Sequence, residues 1–192
     1  KIPSDLTAEQ ILIRSGNIGS IRIAQKVGLE KFQKFLNDLG LLNTLDFDIE
    51  EIGTPLKFKW GKCKLATSAY GHGITTTPLQ LAKGYSIISN GGYEVKPTLI
   101  LDEKKGDIRY QQIISEDVSN KVNLALRKIV TTKEGTASFA NIDGYEIAGK
   151  TGTAQKSIAG GYSRNKINTF ASIFPASDPK YALVVMLDEP KP

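Results

Sequence analysis

Two short stretches, far apart in the chain, carry the residue types of a reaction centre: Ser15-Gly16-Asn17 and Lys150-Thr151-Gly152-Thr153. A serine hydroxyl can relay a proton, an asparagine amide can donate and accept at once, and a lysine ammonium supplies positive potential. Threonine hydroxyls donate to carboxylates, and a glycine between them leaves room for another backbone to come close. Each stretch alone has an ordinary reading. Ser-Gly-Asn is a common turn, and a lysine with threonines on a strand is a solvated edge. From a continuous helix, Ser15 and Asn17 could not serve one site, because residues two apart point in different directions. At a break between helices, both can project into a cleft. Strand alternation puts Lys150 on the face opposite Thr151 and Thr153. All three serve one site only if their strand lies edge-on to it.

The flanking sequence supplies elements suited to that arrangement. Thr7-x-x-Gln10 has the form of a capping box, so a helix starts near Thr7 and fails at Ser15-Gly16-Asn17. A second helix is expected over Ile18 to Val27 and a third over Leu29 to Leu39, stopped by Gly40. Positions 41 to 76 show no clean period and read as loop-rich, with Trp60 as an anchor. Pro78 suits the first turn of a helix running through Ile88. Val95 to Leu101 and Ile108 to Ile114 alternate as a hairpin around the turn "KKGD". Ser115 caps the clearest amphipathic helix, whose Val118, Val122, Ala125, Leu126, Ile129 and Val130 fall on one face. Three strands follow: Tyr145 to Gln155, Asn168 to Phe174 and Tyr181 to Leu187, the last two joined by the turn-rich "PASDP" as antiparallel neighbours. Helices first and strands last make an α+β fold, an antiparallel sheet packed against helices.

Together the two motifs, with "RSGNIGSIRIAQKVG", "YGHGITTTPLQLAKGYSIISNGG", "EGTA", "AGKTGTAQ" and "ALVVMLDEP", resemble the transpeptidase domain of class B penicillin-binding proteins, in particular the septal, FtsI-like type. The stretches occur in the family's order and span nearly the whole chain. The resemblance implies the penicillin-binding, β-lactamase-like fold and makes residues 1–192 the C-terminal part of one transpeptidase domain, truncated at both ends. It implies catalytic roles for Ser15, Asn17 and Lys150, and substrate binding by Thr151, Gly152 and Thr153. The family's nucleophile lies in a Ser-x-x-Lys on a helix upstream of Ser-x-Asn, and nothing before Ser15 fits that pattern. Ser163-Arg164-Asn165-Lys166 matches the letters, but it follows the lysine motif and reads as part of a Gly-rich loop. The isolated chain is therefore expected not to acylate.

The implied substrate is the D-Ala-D-Ala end of a peptidoglycan stem peptide, with β-lactam antibiotics as mimics and division or elongation proteins as partners of the parent. The implied setting is the periplasmic or otherwise extracytoplasmic part of a single-pass inner-membrane protein whose anchor lies outside this sequence. Two other classes fit less well: a β-lactamase or D,D-carboxypeptidase relative, and a nucleophile-less scaffold or sensor of wall precursors.

Bulk properties bound the remaining classes. With 192 residues and 40% hydrophobic content the chain can bury one sizeable core. Its net charge of +5 is scattered without aromatic interleaving, so no nucleic-acid partner is expected. The single Cys63 excludes an internal disulfide, and no cofactor or metal is expected. Asp46, Asp48, Glu50 and Glu51 lack the glycine and spacing of a calcium loop. His72, the only histidine, reads as structural, Asp188-Glu189 as a solvated strand end, and Tyr162 and Arg164 as loop residues near the cleft. The longest apolar run, Ala182 to Leu187, suits a buried strand and is too short for a bilayer span.

Overall fold

The computed structural model describes residues 5–50, 52–101, 110–158 and 161–191. Helices come first: α1 (Ala8–Ile13), α2 (Asn17–Val27), α3 (Leu29–Asp38), α4 (Lys62–Ala69), α5 (Pro78–Ser89) and α6 (Glu116–Thr131), followed by a 3-10 turn at Ser138–Ala140. The strands β1 (Ala148–Ile158), β2 (Gly161–Phe174) and β3 (Tyr181–Asp188) then form one antiparallel sheet in the order β1-β2-β3.

The helix starts follow from local chemistry. Thr7 and Gln10 close a reciprocal capping box on α1, and Thr77 and Gln80 do the same on α5 with Pro78 in its first turn. The Ser115 hydroxyl accepts from the Val118 amide at the start of α6, where Glu116 and Asp117 complement the positive end. Gln80 is fully buried and does more than cap. Its Nε2 donates to the carbonyls of Gly40 (3.1 Å) and Asn43 (2.7 Å), which ties the segment after α3 to α5.

The core places the site. Ile13 at the end of α1, Leu126, Ile129 and Val130 of α6, Ala148 at the start of β1 and Ile173 of β2 form one buried cluster with Ala137. Ile129 and Ile173 are wholly buried, each contributing about 2 kcal/mol of apolar transfer. Because α6 packs against both α1 and β1, it sets the separation between the break after α1 and the strand. A Glu9–Lys128 ion pair reinforces the α1 side, and Arg127 donates to the Ile147 carbonyl at 2.7 Å on the β1 side.

Several expectations are corrected. The segment 41–76 is loop-rich as expected but also holds α4, whose short apolar stretch around Leu65 gives little periodic signal. Trp60 does anchor it, meeting the rings of Phe58 and Phe32 edge-on at 5.0 and 6.4 Å. The expected hairpin reduces, among the described residues, to a single bridge between Tyr93 and Gln112; its turn, with residues 102–109, lies outside them. β1 starts later than expected, at Ala148, after Glu146 turns through a left-handed conformation (φ 47°). β2 starts at Gly161, so Ser163 to Lys166 lie on a strand rather than in a loop. The run Ala182–Leu187 forms an edge strand with Leu183, Val185 and Leu187 exposed, not a buried one. Val118 also stays partly exposed, whereas Ala125, Leu126, Ile129 and Val130 are buried as the period requires.

Candidate active site

Ser15 and Lys150, separated by 135 positions, meet: the Lys150 ammonium donates to the Ser15 hydroxyl at 2.8 Å and to the Thr151 carbonyl at 2.9 Å. Two local features bring Ser15 there. The α1 backbone ends in hydrogen bonds from Ser15 N to Leu12 O and from Gly16 N to Ile11 O. Ser15 itself adopts a left-handed conformation (φ 56°), which few non-glycine residues tolerate and which occurs preferentially where function demands it. Asn17 then opens α2 and is exposed, with Gly16 as N-cap. The break between helices required by the sequence is present.

Among the described residues β1 is an edge of the sheet, paired on one side only, by β2. This is the edge-on geometry that lets Lys150 and the two threonines share a site across the pleat. Lys150 pairs with Ala171 on the core side, whereas Thr151 and Thr153 pair with Phe170 and Asn168 on the other. Thr153 and Gly152 are exposed. A Cβ on Gly152 would come no nearer than 3.9 Å to the protein (Thr169 O), so nothing inside the fold requires glycine here. Gly149 differs: its Cβ would sit 2.7 Å from the Ala171 carbonyl and 2.9 Å from the Ser172 Cβ.

Burial holds the Lys150 amine below the usual lysine pKa. Desolvation disfavours the ammonium, so a lysine hydrogen-bonded to a serine hydroxyl stands nearer to proton exchange than a surface lysine would. The site therefore offers a polarised hydroxyl, a cation of reduced proton affinity and an open strand edge flanked by hydroxyls. That set suits acyl transfer on an extended peptide ending in a carboxylate.

Two contacts at the site have no signal in the sequence. Thr136, in the turn after α6, pairs its hydroxyl with that of Thr151 at 2.7 Å, and Glu134 of the same turn lies 3.7 Å from Arg14, the neighbour of Ser15. "EGTA" marked the turn as part of the resemblance, but no local signal points to its partners.

The other candidates fall elsewhere. Ser163 and Lys166 lie on β2 where its register with β1 is irregular, on a strand rather than a helix, and Ser163 bonds only the backbone of Asn165 in the described contacts. His72, in the turn after α4, lies between the rings of Tyr70 (5.1 Å) and Tyr162 (6.1 Å) with no acid beside it in the described contacts. Tyr162 is thus a strand residue, as is Arg164. Asp46 pairs with Lys96, Asp48 accepts from Thr98, and Asp188 and Glu189 both hold Lys156.

Comparison with known proteins agrees with this geometry. The family model "Penicillin binding protein transpeptidase domain" matches residues 1–191. Stage V sporulation protein D of Bacillus subtilis is 33% identical over 95% of this chain and 30% of its own length. A probable peptidoglycan D,D-transpeptidase FtsI of Caulobacter vibrioides is 29% identical over 97% of the chain and 33% of its own length. Among solved structures, the apo transpeptidase domain of Burkholderia pseudomallei penicillin-binding protein 3 superposes with a TM-score of 0.90 at 25% identity, covering 96% of this chain and 57% of that one. Penicillin-binding protein 3 of Mycobacterium tuberculosis complexed with ampicillin gives 0.85 at 28% identity, covering 96% and 45%. The chain spans about a third of the length of the curated relatives it matches.

Proposed function

Because the chain belongs to the penicillin-binding protein transpeptidase family, class B, we propose that it forms part of a serine D,D-transpeptidase that cross-links peptidoglycan stem peptides outside the cytoplasm, in a septal, FtsI-like role. The nucleophilic serine belongs to a Ser-x-x-Lys upstream of Lys1. Its Oγ attacks the penultimate D-Ala carbonyl, the C–N bond to the last D-Ala breaks, and an ester to the enzyme remains. Ser15 passes the proton to the departing nitrogen, with Lys150 tuning its hydroxyl. The amine of a second stem peptide then attacks the ester, forming the cross-link and returning the proton to the serine. Asn17 hydrogen-bonds the substrate amide, and Thr151 and Thr153 grip the terminal carboxylate. The Thr153 N–H supplies one oxyanion donor, a contribution of about 3 kcal/mol in such sites. The peptide lies along the open edge of β1 as an added strand, over bare Gly152. β-Lactams acylate the same serine and leave a slow ester. Among the described helices none is long and apolar enough to cross a membrane.

The observation that carries this reading is the 2.8 Å contact between Lys150 and Ser15. The test is labelling with a fluorescent penicillin. The longer protein containing this sequence labels, and the 192-residue chain alone does not. Labelling of the isolated chain at Ser163, or a longer protein with no upstream Ser-x-x-Lys and no labelling, overturns the assignment; the latter outcome favours a scaffold.

A further inference from the structure

We propose that Thr136 is a positioning residue for Thr151, and that the Glu134–Thr136 turn is a strut fixing the two motifs against each other. This rests on the transpeptidase reading above. Exposed threonine hydroxyls ordinarily turn to water, yet those of Thr136 and Thr151 face each other at 2.7 Å. The backbone explains why the pair persists. Gly135 lies so close to the end of α6 that a Cβ would sit 2.0 Å from the Ile129 carbonyl. That same carbonyl accepts from Ala137 N at 3.3 Å, and Ala137 is buried in the core cluster that holds Ala148 of β1. Thr136 is therefore set by the same packing that sets Lys150 and Thr151. On the other flank Glu134 reaches Arg14, one residue before Ser15.

Two hydroxyls joined by one hydrogen bond keep one proton free. With Thr136 donating to Thr151 Oγ1, the Thr151 proton is left for an incoming carboxylate, its rotamer held and its O–H polarised by the bond it accepts. A purely structural pair would affect every ligand alike. A positioning pair acts only on ligands that carry the anion.

The experiment uses the longer protein with its upstream serine, and compares acylation by benzylpenicillin and by its methyl ester, which lacks the carboxylate charge. Thr136→Val removes the hydroxyl at nearly constant volume, and we expect it to slow acylation by benzylpenicillin about tenfold, the loss of one hydrogen bond. The ester rate stays at the wild-type value, and Thr136→Ser restores the benzylpenicillin rate. In a Thr151→Val background, Thr136→Val adds nothing. Equal losses with both probes, no loss with either, or additive losses in the double variant overturn the inference. Should Thr136→Val fold poorly, Thr136→Ala is read by the same ratio of the two probes. A wild-type protein acylated by neither probe sinks the transpeptidase reading itself and this inference with it.

Discussion

Ser15 and the two glycines of the lysine strand show how much of this site is decided by single backbone positions. Ser15 sits in a left-handed conformation that costs an L-residue on the order of 1 kcal/mol, and the packing of α1 on α6 sustains it. Gly149 and Gly152 look alike in the sequence but have opposite surroundings. Gly149→Ala drives a methyl into the Ala171 carbonyl and the Ser172 side chain, so we expect a loss of about 1–3 kcal/mol in denaturant unfolding. Gly152→Ala meets nothing nearer than the Thr169 carbonyl at 3.9 Å, an ordinary contact, so its unfolding midpoint stays at or above that of the parent sequence. In the longer protein, however, the Gly152→Ala methyl obstructs an added strand, and penicillin labelling falls while stability does not. A Gly152→Ala variant that labels normally would remove the substrate from the β1 edge.

At the scale of elements, α6 is the spacer and the connections at the end of the sheet are the ties. Glu146, turned through φ 47° just before β1, receives the Ser177 hydroxyl and the Ser177 N–H on its carboxylate, and its carbonyl accepts from Ala176 N. This links the β2–β3 connection back to the start of the site strand. Those two Ser177 bonds, with Arg127 nearby, hold the Glu146 carboxyl below the usual carboxylate range. The folded pKa is thus lower than the unfolded one. The stabilisation is present in full above the unfolded value and is lost as pH falls through the folded one. Glu146→Gln should lower the thermal midpoint at neutral pH, and the gap to wild type should close in acid. A gap that widens in acid contradicts the tie. The strands were legible because β-branched and aromatic residues alternate between turn signals, whereas their true starts depend on pairing. Ser163 to Lys166 belong to β2 only because β1 pairs at both ends of that stretch, Gln155 with Lys166 and Ser157 with Tyr162, across a register irregularity.

Over the whole molecule the sheet is unevenly covered. α5 packs against β2 and β3, and α6 against β1. Leu183, Val185 and Leu187 nevertheless stand 46, 46 and 55% exposed on one face of β3. An exposed apolar row of this kind favours self-association. In this 192-residue chain, replacing Leu183 and Val185 together by threonine is expected to raise the concentration at which the protein stays monodisperse in light scattering, with little change in unfolding midpoint. A clear drop in midpoint would mean that the two side chains are more deeply packed than their exposure indicates.

The sequence by itself determined where most helices begin, because caps such as Thr7–Gln10, Thr77–Gln80 and Ser115 act within a single turn. It also determined the buried stripe of α6, the α+β class and the residue types needed for acyl transfer. It could not reveal α4, whose signal is too short, nor the solvent side of β3, since an apolar run is the same on paper whether or not something packs against it. The tertiary structure alone decided that Ser15 touches Lys150 and that Thr136 touches Thr151. Those contacts depend on how α1, the turn after α6 and β1 are seated on one shared core. Local preferences reach a few residues along the chain; contacts between segments 135 positions apart exist only once burial has fixed their distance.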